Sequence, residues 1–257
     1  MKKIKRMWIF TFGIILLTAV LAASGNTVKA SLIERAKPIP SALLLNAYRY
    51  VGSLRAFSID AITTNDDYFQ GEMVATFTHW THIDLLRPGR LYVQVHGDLK
   101  HRSFYLDYGH FTVYDETLDY YGKLELPKTI DAALDTLFET YDIKTALANI
   151  LYTDLAKRIP PKEKGYYFGI SDVEGVACHH IGFKNEVQEI QFWIEKGKRP
   201  LIRKFIVIDK TEKYLPRSGT LLHWSLKPKF STGVFDFIPS GDVIEIPIIS
   251  EKMEGDK

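Results

Sequence analysis

The chain is poor in cysteine, with Cys178 as its single thiol in 257 residues. One thiol excludes an intrachain disulfide and a multi-cysteine zinc site. The sequence also lacks a Gly-x-Ser-x-Gly elbow, a Gly-rich phosphate loop and the Asp-x-Asp-x-Asp-Gly pattern of a calcium loop. No apolar segment beyond residue 30 approaches the ~18 residues of a membrane-spanning helix. These absences remove the common motif-defined enzyme classes and predict that the exported part of the chain is soluble.

Positive charge is also scarce once the first thirty residues are set aside. They hold five basic residues and no acid, which leaves 28 basic against 31 acidic residues, a net charge of −3. This balance gives no support to a nucleic-acid partner. A basic cluster has two interpretations, a transient contact with anionic headgroups and a solvated turn, of which the turn is favoured. It consists of Lys196, Lys198, Arg199, Arg203 and Lys204.

The N-terminus has the pattern of a secretory signal peptide. A cationic stretch, Lys2–Arg6, precedes an uncharged and mostly apolar run, Trp8–Ala23, and the small-residue tripeptide Val28-Lys29-Ala30. Sixteen helical residues span ~24 Å, short of the ~30 Å hydrocarbon core. We expect cleavage after Ala30 and export to the periplasm, with an uncleaved anchor as the alternative. No cysteine follows the site to carry a lipid.

The mature part reads as mostly β. Ser41, after Pro40, is expected to cap a first helix over Ser41–Leu54. Period-two patterns and turn residues predict the following strands. They are Ala56–Thr64, Glu72–His82, Arg90–Gly97, His101–Asp107, His110–Asp115, Tyr120–Leu124, Tyr166–Ile170, Val176–Lys184, Glu189–Glu195, Leu201–Asp209, Gly219–Lys227 and Val243–Ile248.

A helical insert at about 129–158 interrupts the strands. Thr129 can cap a helix whose apolar stripe runs from Ile130 to Tyr141, and a second helix is predicted over Lys144–Lys157, before Pro160-Pro161. Strands that alternate apolar and polar residues need a cover on one face, and amphipathic helices provide it. The expected fold is α+β and mostly β, a single antiparallel sheet in one domain over residues 31–257.

Three segments carry a resemblance to a known family. They are Thr129–Asp135, Val173–His180 with its Cys-His-His element, and Phe192–Glu195 followed by Pro200 and Arg203-Lys204. In this order and spacing they resemble a bacterial domain-of-unknown-function family described as predicted periplasmic proteins. The resemblance covers roughly Leu43 to Ile246.

That family in turn resembles the periplasmic lipoprotein carrier and its outer-membrane receptor. The resemblance implies an incomplete antiparallel β-barrel, a half-barrel, wrapped around helices with an apolar cavity between the two. It implies no established activity. The carrier has an arginine at the mouth of its cavity. In this chain Arg55 and Arg90 are candidates for that arginine by their position in the sequence alone.

Histidine and cysteine are the residue types that could form a metal site or a catalytic pair in this chain. His79 and His82 are three apart and should face opposite sides of a strand, so no metal site and no cofactor are expected. Cys178 and His180 share a strand face with Cα atoms ~6.6–6.8 Å apart. A cysteine nucleophile needs a base, an oxyanion site and partial exposure, and the sequence supplies at most the base. Packing is the favoured role of this pair, and a functional pair remains the alternative.

The expected function is a non-catalytic binder or carrier of a lipid, a lipoprotein acyl chain or another apolar ligand, acting as a monomer. The alternatives are a structural or protein-partner module of the cell envelope, and an unrecognised enzyme using Cys178 and His180. The apolar helix stripe should face a pocket on the concave side of the sheet. The predicted ligand-binding residues are Leu134, Phe138, Phe192, Trp224, Phe77 and Val93.

The signal pattern makes a direct prediction about the mature protein. Protein recovered from the periplasm should begin at Ser31, because signal peptidase cuts after a small residue that ends such a pattern. Intact-mass measurement decides it. Recovery of an uncleaved chain in the membrane fraction would contradict both the cleavage site and the soluble class.

Overall fold

An open, strongly curved sheet organises the protein in the computed structural model. The structure describes residues 37–69, 72–99, 101–141, 147–159, 161 and 165–250; the predicted signal peptide and its cleavage site lie outside these residues. The helices are α1 (Pro40–Ser53), α2 (Ile130–Tyr141), α3 (Ala148–Leu151) and α4 (Leu155–Arg158). The strands are β1 (Ala56–Phe69), β2 (Met73–Leu86), β3 (Arg90–Gly97), β4 (His101–Asp107), β5 (His110–Asp115), β6 (Tyr120–Glu125), β7 (Tyr166–Val173), β8 (Val176–Lys184), β9 (Gln188–Glu195), β10 (Ile202–Asp209), β11 (Arg217–Ser225) and β12 (Ile244–Glu245).

The strand order in the sheet is β12-β6-β5-β4-β3-β2-β1-β11-β10-β9-β8-β7. Neighbouring strands are antiparallel, apart from β12, which pairs with β6 in parallel. Within the described residues, β12 and β7 are the two edges and do not pair with each other. The sheet is therefore not closed, which confirms the predicted half-barrel.

Period-two burial decides which face of the sheet meets the helices. In the long β1–β2 pair, Phe57, Ile59, Ile83 and Leu85 are fully buried. Their neighbours Asp60 and His82 lie opposite each other and are exposed or half-buried. The concave face is thus apolar and the convex face polar, as alternation in a sheet covered on one side requires.

Helix α1 covers one half of the concave face. It buries Leu44, Ala47, Tyr48 and Val51, and the Tyr48 ring meets Phe192 of β9 edge-on, at 6.4 Å between ring centroids. The prediction of Ser41 as the cap is wrong. The helix begins at Pro40, whose fixed φ suits the first helical position, so Ser41 already lies inside the first turn.

The helical insert covers part of the other half. The predicted Thr129 cap is confirmed, because its hydroxyl oxygen accepts a hydrogen bond from the Ala132 N–H at 3.4 Å. Helix α2 then buries Ile130, Ala133, Leu134 and Leu137. That face is the predicted apolar stripe.

The second insert helix, predicted over Lys144–Lys157, is wrong as one continuous helix. Residues 142–146 lie outside the described part, and the rest forms α3 and α4, separated by an extended Tyr152 with φ −67° and ψ 141°. Hydrogen bonds to α2 stabilise this interruption between α3 and α4. Asp131 of α2 accepts hydrogen bonds from the Thr153 N–H and hydroxyl, and Asp135 accepts one from the Tyr152 hydroxyl at 3.0 Å.

Four strands, β3, β4, β5 and β8, have the predicted bounds. The Tyr108-Gly109 hairpin is confirmed, with φ of 47° and 106°, as a two-residue turn with two positive φ angles requires. The prediction of a last strand over Val243–Ile248 is wrong in its length. Only β12 (Ile244–Glu245) pairs with the sheet, in parallel with β6. Ile248 instead packs on Gly122, where an added Cβ would lie 2.6 Å from the Ile248 side chain.

Two hairpin glycines give a matched test of this packing. Gly109 and Gly175 both hold a positive φ at the second turn position, but a Cβ on Gly109 would lie 2.4 Å from the Leu126 carbonyl oxygen, whereas Gly175 faces open space. Gly109→Ala should lower the free energy of unfolding by ~1–3 kcal/mol more than Gly175→Ala, the usual cost of overpacking. Urea unfolding of both variants measures the difference, and equal losses would show that Leu126 does not constrain the turn.

Candidate ligand-binding cavity

A cavity of about 950 Å³ lies between the concave face of β1–β6 and the insert helices. Inward side chains of adjacent strands form its wall, and α2 and α3 form its opposite side. The apolar lining includes Leu91, Val93, Phe104, Val113, Leu134 and Leu151. Ile246 and Ile248, in the segment that contains β12 and follows it, complete the wall beside β6.

The cavity is polar at one end, which we call the mouth. The mouth lies where β1, β3 and β5 end and where β2, β4 and β6 begin, because antiparallel neighbours bring these termini together. Its polar residues are Asn65, Asp66, Asp67, His79, Arg102 and Asp115. Leu99 and Leu118, which also line it, are 67% and 61% exposed. An apolar interior thus reaches solvent through a rim of charged groups.

Charge at the mouth is mostly negative. Arg102 donates a hydrogen bond to the Asp115 carboxylate at 2.8 Å, and this hydrogen bond is the main cause that holds the pKa of Asp115 below its usual value. Asp66 accepts a hydrogen bond from the Thr76 hydroxyl at 2.8 Å, and Asp67 is exposed. The three carboxylates outnumber the one guanidinium, so the rim favours a polar or cationic group over a second anion.

Three of the predicted ligand-binding residues lie in this lining: Phe77, Val93 and Leu134. They come together from β2, β3 and α2. Phe138 lies one helical turn beyond Leu134 and instead lines a smaller pocket of about 240 Å³ between α2 and α4, together with Tyr152 and Arg158.

The other two predicted residues lie under α1, outside the lining of the cavity. Phe192 is 6% exposed and contacts the rings of Tyr48, Phe183 and Phe205. Trp224 donates its indole N–H to the Ile202 carbonyl at 2.8 Å and packs on Phe57. Helix α1 packs on this half of the concave face, and the cavity lies mainly against the β1–β6 half, with Ser218 and Thr220 of β11 at its edge.

Sequence reasoning missed Val113 as a lining residue. Val113 had a usable signal, because it alternates with outward residues in β5, a strand whose bounds were predicted. Neither positional arginine lines the cavity: Arg55 is exposed beyond α1, and Arg90 pairs with Asp107 at 2.6 Å. Arg102 is the arginine that the structure places at the mouth.

Cys178 lies in a separate, small cluster on the convex face, with Val173 and Trp193, and is fully buried. Its thiol donates to the Val176 carbonyl at 3.4 Å, and burial raises the pKa of the Cys178 thiol to about 11. His180 stacks on Trp193, at 4.0 Å between ring centroids, and its Nε2 lies 3.0 Å from the Gln191 amide oxygen. The thiol and the imidazole each have another partner, which does not favour a nucleophile and base.

His79 and His82 lie on opposite faces of β2, as their spacing predicts. His79 lines the cavity, whereas His82 Nδ1 lies 2.6 Å from Asp60 on the convex face. Burial alone would lower the pKa of His82, but the hydrogen bonds and charges of Asp60 and Asp84 outweigh it, and the pKa is raised. These two histidines therefore cannot share a metal ion.

An open antiparallel half-barrel with helices against its concave face and an apolar cavity between them defines the class of fold. A family model described as "Predicted periplasmic protein (DUF2092)" matches residues 41–249. The chain belongs to this family, which confirms the resemblance seen in its motifs. The predicted location is confirmed as well: the protein is periplasmic.

Solved structures with a similar fold include three proteins of low sequence identity. LprF from Mycobacterium bovis has 9% identity and a TM-score of 0.46, with 76% of this chain and 99% of that chain covered. The lipoprotein LppX from Mycobacterium tuberculosis has 10% identity and a TM-score of 0.40, covering 74% and 96%. A LolA superfamily protein from Nitrosomonas europaea has 8% identity and a TM-score of 0.38, covering 78% and 98%. At such identities the likeness concerns the fold alone.

No curated protein sequence matches the chain. In the part of the chain that the structure describes, no helix combines the length and the hydropathy needed to cross a bilayer.

The burial of Cys178 predicts a chemically quiet thiol. A thiol-reactive chromogenic disulfide at neutral pH should leave the native protein unlabelled and should label it only in denaturant, because the reactive form is the thiolate. Cys178→Ala should lower the free energy of unfolding by ~1 kcal/mol, as a modest core truncation does. Rapid labelling of the native protein would count against this and would favour an enzyme that uses Cys178 with His180 as base.

Proposed function

We propose that the protein is a non-catalytic binder or carrier of a lipid, a lipoprotein acyl chain or another apolar, chain-like ligand in the periplasm. One observation carries the proposal, namely an apolar cavity of about 950 Å³ with a charged mouth at one end. This volume lies at the upper end of the ~300–1,000 Å³ that small-molecule sites occupy. An apolar chain fits its interior and a polar headgroup fits its mouth.

The energetics of chain burial are adequate for such a role. Burying ~12 methylenes is worth roughly 10 kcal/mol at ~0.8 kcal/mol each. Loss of translational freedom and ordering of the chain offset much of this, which leaves binding of about micromolar affinity. An affinity of this order lets a carrier release its ligand as well as take it up.

A polar mouth on an apolar interior also gives the ligand a direction. A charged headgroup that entered the apolar interior would lose its hydration without gaining a partner, so a cationic or neutral polar end of the ligand stays at the mouth with Asp66, Asp67 and Asp115. The tail then runs along Val93 and Val113 towards Leu134. Nothing in this arrangement needs a reacting group, which supports binding rather than catalysis.

We further propose that the protein acts as a monomer that meets the membrane only transiently. The turn between β9 and β10 exposes Lys196, Lys198 and Arg199, whereas Arg203 is paired with Glu195 at 2.5 Å. This turn lies at the end of the sheet where β1 begins, opposite the mouth. A headgroup contact there would leave the mouth facing away from the bilayer, so the solvated-turn interpretation of the cluster is favoured and a contact with the membrane would be transient.

A protein-partner module is the second candidate function, and the edge strand β7 favours it. Tyr166 and Phe168 are 46% and 55% exposed, and their rings stack on one face of a strand whose outer edge has no neighbour in the described sheet. Exposed apolar rows and free strand edges are common binding sites for other proteins. This surface lies away from the cavity, so the two functions are separable.

A cavity-filling variant tests the ligand proposal. Val93→Trp should reduce loading with monopalmitoylglycerol, whose headgroup is polar and uncharged, at least ~10-fold, because the indole occupies the volume that the chain needs. Native mass spectrometry of detergent-free protein measures the loaded fraction. Val113→Trp provides a second, independent filling substitution.

Val187→Trp is the matched control, because Val187 is 52% exposed in a turn outside the lining and receives the same chemical change. Circular dichroism confirms that each variant is folded. Wild type that takes up no monopalmitoylglycerol would contradict the proposal and favour the protein-partner module. Equal loading of the wild type and both filling variants would show that the ligand binds elsewhere.

A further inference from the structure

Two histidines and a glutamate meet on the convex face at the mouth end of the sheet. His96 is the last outward-facing residue of β3. It lies directly opposite His101, the first residue of β4, and the two ring centroids are 5.3 Å apart. Glu116 follows β5, and its N–H donates to the His101 carbonyl at 2.9 Å. Each side chain offers one ligand atom, and these atoms lie within 4.8 Å of one another.

The Glu116 carboxylate is held in place by its neighbours. Its Oε1 accepts a hydrogen bond from the Ser103 hydroxyl at 2.6 Å and another from the Gln94 amide at 3.2 Å. Both hydrogen bonds reach the same oxygen, which leaves Oε2 to act as a ligand. Carboxylates that ligate metal ions are typically held by outer hydrogen bonds of this kind, which Ser103 and Gln94 supply here.

His96 supplies a second, independent observation. Its Nδ1 is buried and has no hydrogen-bond partner among the residues that the structure describes. A buried polar atom without a partner costs free energy, and an ion that the imidazole ligates is one way to recover that cost.

We propose that His96, His101 and Glu116 bind a divalent transition-metal ion of the Zn²⁺ class, with solvent at the remaining position. Two imidazoles and a carboxylate are a donor set that Zn²⁺ uses when one position stays open. Ligand atoms of a tetrahedral Zn²⁺ lie ~3.4 Å apart, given bonds of ~2.0–2.1 Å. The ligand atoms lie within 4.8 Å of one another, so binding of the ion requires the exposed His101 side chain to rotate towards the other two ligands.

The proposed metal site lies directly behind the mouth of the cavity, on the other face of the same strands. His101 and Glu116 are the sequence neighbours of Arg102 and Asp115, which face the opposite side of the sheet and line the mouth. An ion held by β3, β4 and the end of β5 would therefore tie together three strands of the mouth rim. The site needs no ligand in the cavity, so it stands apart from the proposed function.

Calorimetric titration of tag-free, chelator-treated protein with ZnCl₂ tests the proposal. Wild type should bind one ion, and His101→Ala and Glu116→Gln should each weaken the affinity at least ~10-fold, because each removes a ligand. His110→Ala is the matched control: His110 is an exposed histidine on the same sheet that pairs with Glu125 at 2.9 Å, and its loss should leave the affinity unchanged.

A spectroscopic measurement on the unaltered protein complements the variants. Co²⁺ added to wild type should give the intense visible absorption of a four-coordinate ion with nitrogen ligands, and Zn²⁺ should displace it. Absence of Zn²⁺ binding by wild type, or equal affinity of wild type, His101→Ala and Glu116→Gln, would overturn the proposal. A loss in His110→Ala as large as that in His101→Ala would overturn it too.

Discussion

The concave face of the sheet is larger than the helices can cover, and the cavity follows from this mismatch. An open sheet of twelve described strands presents inward side chains on every strand, whereas α1 covers one half and α2 with two short helices covers part of the other. Where α1 packs, Phe192 and Ile194 are buried in a filled core. Where α2 packs, inward residues such as Val93 and Val113 still line open volume.

The register of the central strands keeps the two faces chemically distinct. β1 pairs with β2 over its full length and with β11 on its other side, so a slip of one residue would exchange the apolar and polar faces of the whole sheet. Because the register holds, cavity chemistry is confined to the concave face. The convex face keeps the His82–Asp60 pair, the buried Cys178 and the His96–His101–Glu116 cluster.

Much of this fold could be predicted from local pattern. Turn chemistry at Tyr108-Gly109 and alternation in β3 to β5 place strand ends correctly, because both depend on neighbouring residues alone. The break at Tyr152 could not be predicted in this way. It depends on Asp131 and Asp135, which are close in space but more than fifteen residues away along the chain. The full length of β1 could not be predicted from local pattern either. The predicted strand ends at Thr64, yet β1 continues to Phe69, where Asp66 pairs with Thr76 and Tyr68 stacks on Tyr214.

The cavity lining was predicted only in part, because local pattern shows which residues face inward but not where the helices pack. Phe77, Val93 and Leu134 face inward by periodicity, and so do Phe192 and Trp224. Periodicity identifies the face but not which half of it the helices fill, since that depends on where α1 packs. The meeting of His96 and His101 depends on the β3–β4 register and has no signal in their spacing of five residues.

The central claim is that an apolar chain binds in the β1–β6 half of the sheet and not under α1. Methyl NMR of the selectively labelled protein, titrated with monopalmitoylglycerol, tests it most directly. The account predicts shifts for the methyl groups of Val93, Val113 and Leu134, with those of Ile194 and Leu222 unchanged. Shifts confined to Ile194 and Leu222, or no shifts at all, would contradict it.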